Sequence, residues 1–276
     1  MMEPFIKDRE TFLSLDGFTT INSSIIAGFT VKNGGVSTSH FSTLNMGLHV
    51  NDDPADVVAN RKICALETSI PLRNWVFADQ VHGSRIVKAE KENRGDGAFE
   101  YEAAIHAADG IYTDKADTML ALAFADCVPI FFYEEAANLI GVAHAGWKGS
   151  VLNIGQAMIS RWIEAEGAQL DRIHAVIGPS IGSCCYKVDD RVIEEVNKHF
   201  DPVEEVPYKE AGAGQYFLDL KALNEALLVK AGLNRENISV SGRCTSCEDQ
   251  LFFSHRRDNG KTGRMIGFIG LKEEGS

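Results

Sequence analysis

The sequence predicts an α+β or α/β fold, with mixed sheets and helices packed outside them. Three observations carry this reading. Residues 118–143 form a β-rich, almost wholly apolar stretch that suits strands buried on both faces. Helical periodicity follows in the second half of the chain, and short strand-like runs return between those helices as far as residue 269. The 276 residues, 45% hydrophobic and 24% charged, are enough for a substantial core, and no repeat or low-complexity linker divides them. One domain over residues 1–276 is expected.

Taken in order, residues 12–50 read as short strands and a hairpin. Asp53-Pro54, followed by apolar Val57, Val58, Ile63 and Leu66, reads as an N-capped helix with proline in its first turn. Strands are expected at 75–80 and 85–89, then an acidic, glycine-containing loop to Tyr101. Residues 118–125 and 129–133 are β-rich, 134–138 turn, and 139–143 return, which makes a buried hairpin. Ile154, Met158, Trp162 and Ile163 give residues 150–166 helical spacing, closed by Gly167. Strands at 174–177, 185–188, 238–240, 251–253 and 265–269 alternate with helices near 190–199 and 219–231.

Charge narrows the function classes. The 27 Lys and Arg against 39 Asp and Glu leave a formal net charge of −12, a field that repels nucleic acid and anionic lipid. Any phosphate the chain handles must meet a local basic pocket. The six cysteines are few and irregularly spaced, and the N-terminus carries acids where a signal peptide needs an apolar run. A cytoplasmic protein with mostly free thiols is expected. The longest apolar stretch, 118–133, is broken by Asp126 and Pro129 and falls short of the ~20 residues of a membrane helix.

Several motifs fail on context. Gly178-Pro179-Ser180-Ile181-Gly182 imitates a serine nucleophile elbow, but no helix is signalled after it. Gly260-Lys261-Thr262 lacks the upstream glycine of a phosphate loop, where His255 stands, and Gly212-Ala213-Gly214 lacks a preceding strand. Cys244-Thr245-Ser246-Cys247 has the spacing of half a four-cysteine zinc site. Cys184 and Cys185 complete it only if both faces of a strand turn inward, so buried free thiols are expected there.

Chemistry concentrates on three residues, each at the end of an expected strand: His82 in Gln80-Val81-His82-Gly83, Cys127 in Ala125-Asp126-Cys127-Val128-Pro129, and His144 in Ala143-His144-Ala145-Gly146-Trp147. A four-residue hairpin loop at 134–137 pairs Cys127 directly with His144. Opposed Cβ atoms lie ~4.5–5.5 Å apart, so sulfur and imidazole can share a metal or a proton. A sulfur and two imidazoles bind Zn²⁺ and leave a fourth position for water or substrate. The same pair also suits a cysteine nucleophile with a histidine base.

The whole set of motifs then resembles a known family. Gly34-Gly35-Val36-Ser37, Leu44-Asn45-Met46-Gly47-Leu48-His49, Asp52-Asp53-Pro54 with Asn60-Arg61, Val81-His82-Gly83, Ala108-Asp109-Gly110, Ala125-Asp126-Cys127-Val128-Pro129, His144-Ala145-Gly146-Trp147-Lys148-Gly149, and Phe252-Phe253-Ser254-His255-Arg256-Arg257 with Thr262-Gly263-Arg264 are similar to the purine nucleoside phosphorylase family. That family was formerly called polyphenol oxidoreductase or multicopper-laccase-like. The resemblance spans roughly residues 28–271 and is nearest to bacterial members found beside cell-division genes.

The resemblance implies a single domain of layered α/β/β/α type, like the cysteine-hydrolase domain of cytotoxic necrotising factor. It implies zinc on His82, Cys127 and His144, phosphorolysis of adenosine, inosine and methylthioadenosine, and deamination of adenosine. Copper is not expected, because multicopper oxidases need several His-x-His pairs and the eight histidines supply none. Lys32 and Lys148 stand where the family usually has arginine, keeping charge but losing the forked donor. Phosphate contacts are expected from Arg61, Lys148, Arg256 and Arg264. Asp109, preferred to Asp126, is expected to shuttle a proton, and Asn45 either orients a ribose hydroxyl or closes an Asx turn. A monomer or homodimer acting on purine nucleosides and phosphate follows. Two rivals stand beside it: a Cys127–His144 hydrolase of an amide bond in a cell-wall precursor, and a non-enzymatic, metal-stabilised partner of the division machinery.

Overall fold

The apolar run at the centre of the chain is divided between two sheets, and that division positions the functional site. The computed structural model describes residues 2–273. It begins with strands Phe5–Ile6 (β1), Phe12–Leu15 (β2) and Ile25–Thr30 (β3), and with a short helix, Asp16–Ile21 (α1), that local periodicity does not signal. Pro54–Thr68 (α2) starts where expected: the Asp53 side chain accepts the Ala55 N–H at 2.8 Å. Trp75–Phe77 (β4) and Ile86–Lys88 (β5) are shorter than the runs that mark them, and Gly110–Thr113 (β6) is an additional strand. Thr118–Phe124 (β7), Val128–Glu134 (β8) and Leu139–Ala145 (β9) follow.

The helix expected at 150–166 is two helices, Trp147–Val151 (α3) and Ile154–Glu166 (α4). Asn153 breaks them with a left-handed φ of 55° and caps α4 by accepting the Gln156 N–H. Ile173–Ile177 (β10), Lys187–Asp189 (β11), Asp190–Asn197 (α5), Tyr208–Gly212 (β12), Gln215–Leu218 (β13), Leu220–Lys230 (α6), Ile238–Val240 (β14) and Met265–Leu271 (β15) complete the chain. No strand forms at 251–253, where Phe252 and Phe253 are core residues carried by a loop. After Gly178 the chain turns without a helix, and Ser180 is fully buried, so there is no nucleophile elbow.

The two large sheets have orders β1-β2-β3-β15-β7-β4 and β14-β10-β8-β9-β6-β5, and β11-β13-β12 forms a small third sheet. Strand alternation sorts the side chains into layers. Leu120, Leu122 and Phe124 of β7 meet Phe131, Tyr133, Ile140 and Val142 between the sheets. Met119 and Ala121 point the other way, onto Cys64 and Ala65 of α2. Val128, Ile130 and Phe132 pack on Met158 and Trp162 of α4 and on Leu223 and Leu227 of α6. The result is the mixed α+β, α/β/β/α layering, and burial on both faces explains why these strands show no polar alternation. Each fully buried large apolar side chain contributes about 1.5–3 kcal/mol. Among the described residues no helix is long and apolar enough to cross a membrane.

Candidate metal centre and active-site cavity

The chain leaves the first sheet at the end of β7 and enters the second at the start of β8, and Cys127 sits on that corner. Asp126 makes the turn with φ of 85°. Its buried carboxylate holds the corner by accepting from Thr245 Oγ1 at 2.7 Å, Ser254 Oγ at 3.0 Å and the Arg256 N–H at 2.7 Å.

The hairpin pairs Pro129 with His144 and Val128 with Ala145, so the expected direct pairing of Cys127 with His144 is wrong. The connecting loop is residues 135–138, one residue later than expected, which displaces the pairing by two residues. A displacement of two keeps every side chain on its face, whereas one of one residue would have separated sulfur from imidazole. Continued register brings Cys127 towards Gly146. A Cβ there would stand 2.9 Å from Cys127 Sγ and 3.2 Å from His82 Cδ2, so only glycine leaves the sulfur and ring room.

His82 arrives on a loop whose backbone is left-handed at that residue, φ 61°. Asp109, fully buried, organises the loop: Oδ1 accepts the His82 N–H at 2.9 Å, and Oδ2 accepts those of Gly83 at 2.7 Å and Val81 at 3.2 Å. Asp109 Oδ1 also lies 2.9 Å from His144 Nδ1. One carboxylate therefore places His82 and orients His144, leaving His144 Nε2 for the third direction.

The ligand atoms of His82, Cys127 and His144 all lie within 4.8 Å of one another. Burial pushes the Cys127 thiol up, but the imidazoles of His144 and His82 more than offset it and bring it below its ordinary value. Burial likewise opposes charge on His144, and the Cys127 sulfur and Asp109 carboxylate together raise it. The two shifts describe one shared proton, thiolate beside imidazolium. A sulfur and two imidazoles at this spacing fit a divalent ion, which would take that proton's place.

The three residues line a cavity of about 420 Å³ with Arg61, Arg256 and Arg264 on its walls. Arg61, on α2, is buried with Nε and Nη2 donating to Met46 O and Nη1 to Gly97 O and Ala98 O, its guanidinium 3.8 Å from the Phe77 ring centroid. Burial pulls its pKa down to about 9, the mark of a cation that the protein leaves unneutralised. Arg256 donates to Lys187 O and lies 5.0 Å over the Tyr186 ring, while Arg264 donates to Thr262 O and Gly263 O. Among the described residues none of the three forms an ion pair.

Other expected residues stand elsewhere. Lys148 is exposed on the first turn of α3, against Trp147, and does not reach the cavity wall. Asn45 is fully buried; its Oδ1 accepts the N–H of Gly47 at 3.0 Å and of Arg264 at 2.9 Å, so it closes the Asx turn instead of facing a ribose. Asp109 does not line the cavity either, and its oxygens are engaged by three backbone N–H groups and His144 Nδ1.

The cavity also holds His49, Gln80, Tyr101, Trp147, Tyr186 and His255. Gln80 mimics a strand partner, donating to Ala123 O at 2.9 Å and accepting the Ala123 N–H at 2.7 Å. The Tyr101 hydroxyl donates to Asp79. Nothing local marks Tyr101, which lies in an acidic loop, whereas His49 closes the Leu44–His49 motif and was available to inspection. Desolvation in the cavity, then Arg264 and Arg61, hold the His49 imidazole down to about 4. It is expected to remain neutral throughout the physiological range. In an NMR titration assigned with His49→Gln, a midpoint for this ring near the ordinary histidine value would contradict the described surroundings.

Residues 26–272 match the family described as multi-copper polyphenol oxidoreductase laccase. The chain is 54% identical over 253 residues to the purine nucleoside phosphorylase YlmD of Bacillus subtilis (strain 168), an alignment covering 91% of this chain and 90% of that protein. The crystal structure of YlmD from Geobacillus stearothermophilus superposes with a TM-score of 0.96 at 46% identity, covering 99% of this chain and all of that one. The Bacillus licheniformis hypothetical protein YfiH superposes at 0.94 with 49% identity, covering 98% of this chain and all of its own.

Proposed function

The chain belongs to the multi-copper polyphenol oxidoreductase laccase family, and we propose that it is a zinc-dependent purine nucleoside phosphorylase. It would convert adenosine or inosine and phosphate to the base and ribose 1-phosphate, and methylthioadenosine to adenine and 5-methylthioribose 1-phosphate, with deamination of adenosine at the same site. The observation that carries this reading is the placement of Arg61, Arg256 and Arg264, none of them in an ion pair among the described residues, around the His82, Cys127 and His144 set in a chain of net charge −12. Such a pocket attracts a phosphate against the background field. The names of the relatives point the same way.

The chain's own residues divide the work. Arg61 offers a preset guanidinium, already fixed by carbonyls, so little order is lost when an anion arrives. Arg256 and Arg264 supply two further cations from the opposite loop. Phe77, Tyr101, Trp147 and Tyr186 provide flat walls for a purine. The zinc, held by His82, Cys127 and His144, would supply Lewis acidity beside the reacting oxygen.

Zinc suits this donor set better than multicopper chemistry, which needs several imidazole-rich clusters; the other metal-capable group among the described residues contains no histidine. A second reading has one observation in its favour: Asp109, His144 and Cys127 form an acid–imidazole–thiol chain of the kind that activates a cysteine nucleophile in amide hydrolysis. One assay separates the two. Inosine is expected to give hypoxanthine and ribose 1-phosphate only when phosphate is supplied, with activity abolished by a chelator and restored by Zn²⁺. Phosphate-independent release of hypoxanthine, or activity indifferent to chelation, would refute the phosphorylase.

A further inference from the structure

We propose that Cys184, Cys185, Cys244 and Cys247 form a second metal site, a tetrathiolate zinc centre that pins one wall of the cavity. The four sulfurs converge from two segments some sixty residues apart, and all lie within 4.8 Å of one another. Cys184 Sγ is 3.7 Å from Cys244 Sγ and 3.5 Å from Cys247 Sγ, and Cys185 Sγ is 3.4 Å from Cys247 Sγ. Four thiolates at ~2.3 Å from one zinc define a tetrahedron whose edges are ~3.8 Å, close to these separations. A disulfide needs sulfurs ~2.05 Å apart.

The objection that adjacent cysteines on a strand face opposite ways does not apply. Residues 183–185 form a turn, closed by the Cys185 and Tyr186 N–H groups on Gly182 O, and β11 begins only at Lys187. Both thiols can therefore face the Cys244-x-x-Cys247 turn. Gly182 permits the approach: a Cβ there would meet Cys184 Sγ at 3.2 Å and Cys244 Cβ at 3.3 Å. The Gly182 N–H points at Cys244 Sγ at 3.2 Å, a backbone donor aimed at the sulfur. Lys221, nearly buried, donates to Arg243 O at 2.8 Å, which holds its ammonium beside the Cys244 turn.

Such a centre would brace the substrate cavity. The first ligand turn carries Ile181 and Tyr186, both on the cavity wall. The second carries Thr245, whose hydroxyl holds Asp126 beside Cys127, and its Thr245 and Ser246 carbonyls accept from Arg257, next to Arg256.

Metal analysis of the chain purified under a non-chelating reductant tests the site. Two equivalents of zinc are expected, one per cluster. Cys184→Ser/Cys247→Ser, at exposed positions, should lose one equivalent and melt several degrees lower, whereas His82→Ala should lose only the other. Cobalt exchanged into His82→Ala should still show the intense sulfur-to-cobalt absorption of four thiolates. A single equivalent lost with the paired cysteines but kept in His82→Ala also supports this site and counts against the catalytic metal instead. The proposal is overturned by metal that disappears entirely with His82→Ala. It is also overturned if wild-type protein, denatured without reductant, yields fewer than the six thiols of the sequence, since the cysteines would then be disulfide-bonded.

Discussion

Alanine at His82 is expected to strip the catalytic metal and lower kcat/KM for inosine phosphorolysis by at least about a hundredfold. Loss of an outer partner of a metal ligand already costs about 10–100-fold, and a ligand itself should cost more. This substitution is more informative than alanine at Cys127, which would disable a zinc phosphorylase and a thiol hydrolase alike. What Asp109 holds in the His82 loop is backbone N–H, so the Asp109–His144 contact should persist in the variant, while the His82 imidazole itself helps to hold the Cys127 thiol down. A thiol hydrolase would be slowed by His82→Ala but would keep its His144 base and stay indifferent to phosphate and to metal. Steady-state kinetics with and without phosphate, combined with metal content of the same preparation, decide the matter. Retained phosphorolysis in metal-free His82→Ala would defeat the zinc reading.

Asparagine at Asp109 is expected to weaken metal binding by about 10–100-fold without touching substrate. The carboxylate accepts three backbone N–H groups and faces His144 Nδ1, so it fixes both the loop of His82 and the tautomer of His144. An amide can replace one oxygen as acceptor, but its NH₂ confronts the remaining donors. With hydrogen bonds to a charged acceptor worth about 1.5–3 kcal/mol each, a stability loss of about 3 kcal/mol should accompany the change. Competition against a chelator of known affinity reads the first effect and thermal denaturation the second. Excess zinc should restore much of kcat, because Asp109 acts through its neighbours. If saturating zinc leaves kcat depressed while the site is full, Asp109 has a direct role in proton transfer after all.

How much of the site was legible depended on which kind of information each residue needed. The three candidate ligands could be singled out because donor chemistry belongs to the side chain and each lies near an expected strand end, where a glycine, a proline or an aspartate marks the change of direction. The basic residues could not be ranked this way. Arg61 sits within a helix whose periodicity says nothing of what lies above it, and it faces the cavity only because α2 packs on the first sheet. Lys148 follows His144 closely, yet the start of α3 turns it outwards. Asp109 shows no local sign of its task, since its four partners lie 26–28 and 35 residues away.

By itself the sequence determined the side-chain chemistry, the punctuation by glycine, proline and capping residues, and the alternation that sends successive strand residues to opposite faces. These are properties of a residue and its immediate neighbours. The tertiary structure alone decided that β7 and β8 belong to different sheets, that the hairpin closes two residues out of the expected register, and that Cys184 and Cys185 share a turn with a common outlook. Each of those outcomes is a choice among packings that local backbone preferences leave nearly equal in energy. It is settled only when distant apolar surfaces, such as Phe124 against Phe29 and Phe131 against Phe5, are buried together.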